Sequence, residues 1–394
     1  MLLRPGITVQ HTREEAVASD LVRGDITAFI GVIPRSRWPR GAVLGDFLEK
    51  RITHWDDLVA SPVVTFVDPY TVRAVQQFFQ NGGKEARLFG VCATSEAALT
   101  SSDPWNDFAF ALIDKLRTDD DIGLIVMPIL AWIPVQFEPS GRPIVPAQPM
   151  IELFAKHCME MPLRFLVLDA PRDLHDTLLT RWVGELRESL GPAAPFVAIY
   201  YPWLQNGDEV FPPSGAIAGM FARVEHEHPP FGVYWPPANQ VLHHVTHPSV
   251  PLKWREGDAL VDVHINPILT QPTRGVVVWG ARTLSNDPKW MHINARRVVS
   301  LVTEQIRRDC EWIVFESQSP ELWEVGARIV RNRLDQMWSA GLLTGDRAGA
   351  EYLVRCDAEL NPPEVRDAGQ INVHVELRPV GTTEFIVVEL RLGE

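Results

Sequence analysis

The feature that most constrains this chain is a repeated order of short apolar runs and amphipathic segments. Ile26–Val32 reads as a buried strand. Asp68-Pro69 then carries a helix-start signature, with Asp as N-cap and Pro at the first helical position. Asn81-Gly82-Gly83 stops that helix, and a strand over Ala86–Val91 follows. Asp103-Pro104 opens a second helix, running to about Arg117. The order continues with a strand at Ile122–Met127, a helix over 148–160, a strand at Leu163–Leu168, a helix over 171–190 and a strand at Phe196–Tyr201. Strands alternating with helices of this length predict βαβ units and a parallel sheet covered on both faces. Residues 85–270 are therefore expected to form an α/β domain.

Beyond Gly275 the pattern changes. Gly275–Gly280 encloses a strand, and 291–309 predicts an amphipathic helix with Val298, Leu301, Val302 and Ile306 on one face. Trp312–Phe315 reads as a strand. Ser319-Pro320 starts a long helix ending near Gly341. Two alternating strands close the chain, Ile371–Arg378 and Phe385–Leu392. An apolar final strand must pair with something.

Charge and cysteine content narrow the function classes. With 37 basic and 50 acidic side chains the net charge is -13, which argues against broad binding to nucleic acid or anionic membranes. Six of the basic residues are Lys and 31 are Arg, beside 13 Trp, a composition at home in protein interfaces. No apolar run is long enough to span a membrane, and the first ten residues lack the core of a secretory signal. Cys92, Cys158, Cys310 and Cys356 form no CxxC and are expected to be reduced thiols.

Three segments resemble enzymatic motifs. Gly82-Gly83-Lys84 lacks the spacing of a phosphate loop. Ser214, in Pro212-Pro-Ser-Gly-Ala-Ile-Ala-Gly219, opens a small-residue helix as a subtilisin-type nucleophile does, with Asp169 and His175 upstream as partners. Those two are only six residues apart, however, and Ser214 reads instead as a helix N-cap. His226, His228, His243, His244 and His247 could supply metal ligands, but they occupy loop-like positions without HExxH spacing. The Asp119-Asp120-Asp121 run reads as a solvated turn. No catalytic residue, cofactor or metal is therefore assigned, and a serine- or metal-dependent hydrolase remains the competing class.

An ordered set of segments resembles the tail sheath proteins of contractile injection machines. It includes Gly275-Val-Val-Val-Trp-Gly-Ala-Arg-Thr-Leu-Ser285, Asp287-Pro-Lys-Trp290, Ile293-Asn-Ala-Arg-Arg297, Trp312-Ile-Val-Phe-Glu316, Gly341-Leu-Leu-Thr-Gly345 and Glu384-Phe-Ile-Val387. Upstream, Arg164-Phe-Leu-Val-Leu-Asp-Ala-Pro171, Tyr200-Tyr-Pro-Trp203 and Gly232-Val-Tyr-Trp-Pro-Pro-Ala-Asn239 fit the same pattern. The resemblance implies a subtilisin-like, doubly wound α/β domain without a catalytic triad, followed by an α+β C-terminal domain with strand-donating terminal arms. It implies hexameric rings stacked around an inner tube, contraction from a metastable state, and baseplate and terminator or cap proteins as further partners. Neither nucleic acid nor direct membrane insertion is implied. Such a particle would be assembled in the bacterial cytoplasm and could be released. A cap or baseplate-end paralogue that nucleates without polymerising is the alternative.

On this reading the chain divides into an N-terminal arm (1–25), a region packing with the core (26–84), the α/β domain (85–270), the C-terminal domain (271–380) and a linking strand (381–394). Ile7 and Val9 at one end, with Ile386, Val388, Leu390 and Leu392 at the other, are expected to link subunits by strand addition. Loss of 381–394 should then abolish polymerisation while the domain stays folded. Residues 281–309 carry Arg282, Lys289, Arg296, Arg297, Arg307 and Arg308 against Asp287, Glu304 and Asp309, a local +3. These six cations are expected to face an acidic surface on the tube or a neighbouring subunit.

Overall fold

A computed structural model describes residues 21–93, 103–316, 319–345, 352–381 and 385–392. Among the described residues, nine strands form the main sheet: β1 (Thr27–Pro34), β2 (Phe47–Ile52), β3 (Ala86–Ala93), β4 (Leu124–Val126), β5 (Phe165–Asp169), β6 (Val197–Tyr201), β7 (Gln240–Val241), β8 (Ile265–Gln271) and β9 (Gly275–Val278). Their spatial order is β7-β9-β8-β6-β5-β4-β1-β3-β2. From β3 through β1, β4, β5 and β6 to β8 every pairing is parallel; β2 at one edge, and β9 and β7 at the other, are antiparallel.

The alternation read in the sequence decides the layers. Ile30, Val32, Leu166, Leu168 and Ile199 point to one face; Phe29, Ile33, Phe165, Val167 and Tyr200 point to the other. Among the described residues, five helices supply most of the covering: α1 (Pro69–Gln80), α2 (Asp103–Arg117), α3 (Gln148–Glu160), α4 (Asp176–Leu190) and α5 (Ser214–Glu227). Leu112, Phe154 and Trp182 of α2, α3 and α4 close the first face, and Phe78, Ile217 and Phe221 of α1 and α5 close the second. Asp68 caps α1 as its sequence foretells. One carboxylate oxygen accepts from Thr71 N at 2.9 Å and the other from Val32 N at 2.9 Å, tying the helix to the central strand.

α1 and α5 approach unusually closely. A Cβ on Gly215 would lie 2.3 Å from the Ala74 carbonyl oxygen, and one on Gly219 would lie 2.2 Å from that of Phe78. The small residues of this helix are thus required by backbone contact with its neighbour, not by a nucleophile.

The C-terminal domain has its own core. Helices α6 (Ile293–Cys310) and α7 (Pro320–Ser339) pack on an antiparallel sheet of β10 (Tyr352–Arg355), β11 (Ile371–Leu377) and β12 (Ile386–Leu392). Val302, Ile306, Leu334, Met337, Val375 and Leu377 lie at its centre, with Val22, Leu163, Phe231 and Val233 reaching in from elsewhere.

Several expectations are corrected. β1 lies mid-sheet between β3 and β4, so residues 26–84 belong to the same unit as 85–270. β9 completes that sheet too, so the C-terminal domain begins after it rather than at 271. The strand expected at Trp312–Phe315 is a 3-10 turn, Glu311–Phe315, running directly on from α6; Ile313 is buried and Trp312 is 43% exposed. A four-residue apolar run does not distinguish these states by periodicity. The helix expected over 171–190 begins only at Asp176.

Candidate functional site

The carboxyl ends of parallel strands are where a doubly wound sheet binds ligands. Here that crevice holds the chain's own side chains. Tyr70 stacks on Trp132 at 4.1 Å, Trp132 lies 5.4 Å from Trp203, and the Arg172 guanidinium covers Trp132 at 4.2 Å. The Trp203 indole N–H donates to Ala170 O at 2.8 Å, fixing the stack to the end of β5.

Beside it stand the residues of the possible serine site. Asp169 ends β5, and its two oxygens accept from Ser214 N at 2.6 Å and Ser214 Oγ at 2.5 Å. Ser214 is the first residue of α5 rather than its N-cap, which is Pro213, and the capping role passes to the distant Asp169. His175 lies apart, its Nδ1 3.1 Å from the Tyr201 hydroxyl. The serine therefore meets a carboxylate directly, without the intervening imidazole that would take its proton in a triad.

Burial pushes the Asp169 carboxyl up to about 7, against the two hydrogen bonds from Ser214. Between pH 4 and 7 the unfolded chain gives up a proton that the folded chain keeps, so this group's contribution to stability falls as pH rises. The difference amounts to about 4 kcal/mol. Asp169→Asn keeps an acceptor for Ser214 N and removes the titration. Denaturant midpoints should show the variant gaining on the parent from pH 4 to pH 7; a pH-independent gap would refute this.

The five histidines do not converge. His226 Nε2 is 3.0 Å from Asp25, His228 stacks on Trp235 at 4.2 Å, and His247 Nδ1 is 3.2 Å from its neighbour's carbonyl oxygen. Among the described residues no group of three or more His, Cys, Asp or Glu side chains could hold a metal ion. Burial holds the four free thiols protonated, with Cys158 and Cys310 pushed up to about 12 and Cys92 and Cys356 to about 11.

The basic segment corrects the sequence reading most sharply. Arg296 is 9% exposed and lies between Trp290 at 4.2 Å and Phe196 at 4.6 Å; burial pushes its guanidinium down to about 9. Arg297 is 5% exposed, contacts Glu225 of α5 at 2.6 Å and donates to Gly24 O at 2.7 Å. Arg307 and Arg308 both grip Glu304, then reach Asp120 and Asp121 at 3.1 Å on the α2–β4 loop. Arg282 meets His292 at 3.2 Å, and Lys289 donates its backbone N–H to Asp287. The four arginines of α6 thus join the C-terminal domain to the α/β unit, instead of presenting an outward cationic face.

The Asp119–Asp121 turn is likewise a fastening. Arg164 is buried beneath it and donates to Leu116 O at 2.6 Å and Asp119 O at 2.7 Å. Asp119 also meets Arg87 Nε at 3.1 Å. Counting charge along the sequence cannot reveal this, because the partners are on other elements.

Of the expected linking residues, Ile7 and Val9 lie outside the described residues. The others are held at home: β12 pairs with β11 along its whole length, and Ile386, Leu390 and Leu392 are buried in the C-terminal core, with Val388 half-buried. The opposite edge of β12 has no strand beside it among the described residues. Among the described residues, no helix is long and apolar enough to cross a membrane.

Comparison with known proteins agrees with this architecture. Residues 285–393 match the phage tail sheath C-terminal domain family. A Pseudomonas aeruginosa (strain UCBPP-PA14) protein named as a prophage major tail sheath protein is 31% identical over 115 residues, a stretch spanning 28% of each chain. The fold matches the anti-feeding prophage helical sheath in its contracted state, with TM-score 0.71 and 23% identity over 99% of both chains. It matches a chain of the anti-feeding prophage baseplate with TM-score 0.70 and 24% identity, again over 99% of both. The likeness to contractile tail sheath proteins read from the sequence is borne out.

Proposed function

We propose that this chain is a structural subunit of a contractile injection-system sheath. The observation that carries the proposal is the likeness to a contracted helical sheath over 99% of both chains. On this reading the α/β unit is a subtilisin-like scaffold whose serine position serves packing: Ser214 is fully buried and bonded to Asp169. Subunits form hexameric rings stacked around an inner tube, and contraction moves between two packings of rigid subunits joined by terminal strands. The two domains suit that task, because arginine clamps hold them as one piece while the edge of β12, which has no strand beside it among the described residues, can accept one from a neighbour. The partners are further copies, a tube protein, a baseplate and a terminator or cap. The particle would be assembled in the cytoplasm and could act after release.

Negative-stain microscopy of the purified protein tests this. Tubes or stacked rings are expected. A monomer whose hydrolase activity is lost in Ser214→Ala would overturn the reading. The baseplate likeness favours a second reading, a baseplate-end paralogue, for which single rings without elongation are the signature.

A further inference from the structure

Among the described residues, one cluster of cations without an ion pair lies on another loop. The loop between β1 and β2 carries Arg35, Arg37 and Arg40, with no acidic residue among 35–40. All three are exposed, and among the described residues none makes an ion pair or a side-chain hydrogen bond; Arg35 lies over the Trp38 ring at 5.9 Å. Exposed apolar side chains flank them, Val43 at 60% and Leu44 at 42%. In a chain of net charge -13, three exposed arginines within six residues, without an ion pair among the described residues, stand out against the overall charge. Arg and Trp dominate the energetics of protein contacts, and an Arg pairs bidentately with carboxylates.

The complementary surface is on the other domain of the same chain. Between 311 and 324 stand Glu311, Glu316, Glu321 and Glu324 and no basic residue. The four are exposed, among the described residues none meets a cation, and Glu321 bonds only locally, to its own backbone N–H and Ser319. Trp312 lies exposed beside Glu311. Within one chain the basic loop and the acidic turn leave each other unpaired.

We propose that the Arg35/Arg37/Arg40 loop of one subunit docks on the Glu311/Glu316/Glu321/Glu324 surface of another copy. The proposal rests on the self-assembly reading above and adds its contact residues. Because the two surfaces differ, the contact is head-to-tail, and repetition produces rings or an open helix rather than a closed dimer. Its strength should fall with salt, since both surfaces are exposed.

Two full-length variants test it: Arg35→Glu/Arg37→Glu/Arg40→Glu, and Glu311→Lys/Glu316→Lys/Glu321→Lys/Glu324→Lys. Circular dichroism melts check that each remains folded. Sedimentation velocity at low salt should show the parent self-associating and each variant alone at least tenfold weaker. An equimolar mixture should associate again, because every loop then finds a surface of opposite charge. Variants that associate like the parent, a mixture that stays monomeric, or a parent that is monomeric at low salt would each overturn the docking. Parent tubes with unaffected variants would overturn the docking and leave the sheath reading intact. Association that follows the charges without tubes or rings would do the reverse.

Discussion

Removing residues 381–394 should unfold the C-terminal domain, not merely disconnect it from neighbours. β12 supplies one of three strands and pairs with β11 from Ile371↔Leu392 to Leu377↔Ile386. Its Ile386, Leu390 and Leu392 are at most 6% exposed. Burying each such side chain contributes about 1.5–3 kcal/mol, so the strand accounts for about 5–9 kcal/mol, comparable with the whole stability of many domains. Denaturant unfolding should show the truncated chain losing the transition of the C-terminal domain while the α/β unit keeps its own. If both transitions persist within about 1 kcal/mol of the parent, the strand is not needed at home and must serve elsewhere. The same arithmetic bears on assembly. A strand that passed to a neighbour would remake these contacts there, so exchange between copies would cost little at equilibrium, while simple loss would cost the domain.

What the sequence disclosed followed the range of the forces involved. Asp68-Pro69 and Ser319-Pro320 mark helix starts to the residue, because a cap bonds backbone two or three positions away. The helix over 148–160 is likewise found where its pattern put it. β2 escaped notice because Glu49, Lys50 and Arg51 interrupt its apolar character, and only pairing with β3 makes it a strand. Asp169 and Ser214 are 45 positions apart and meet only because β5 ends beside the start of α5. The charge of α6 was legible, but its destination was not. Whether an arginine faces solvent or a buried glutamate depends on which element packs over it, and that is settled by the core. The fold class and the family likeness could therefore be read early, while the contact surfaces could not.

Replacing Arg297 by Met should cost about 3–5 kcal/mol, the usual result of stranding a buried charge. Arg297 stands where three parts of the chain meet. It contacts Glu225 of α5 at 2.6 Å, donates to Gly24 O at 2.7 Å, and faces the Phe221 ring at 5.2 Å. Nearby, Val22 N donates to Gln305 of the same helix at 2.9 Å, so the segment that emerges toward the N-terminus is pinned against both domains. Burial already pushes the Glu225 carboxyl up, and Arg297 is the main charge that opposes this. Without it, Glu225 must take up a proton or draw in water, and the carbonyl of Gly24 loses its donor. Adding Glu225→Gln should recover part of the loss, because a neutral amide is less costly to bury than an unpaired carboxylate. Chemical denaturation of the single and double variants measures both steps. A loss below about 1 kcal/mol for Arg297→Met, or no recovery in the double variant, would show that the junction does not depend on this pair. The expected loss would also separate two roles for α6: charges that fasten domains reduce stability when removed, whereas charges that only meet a neighbour leave the isolated subunit unchanged.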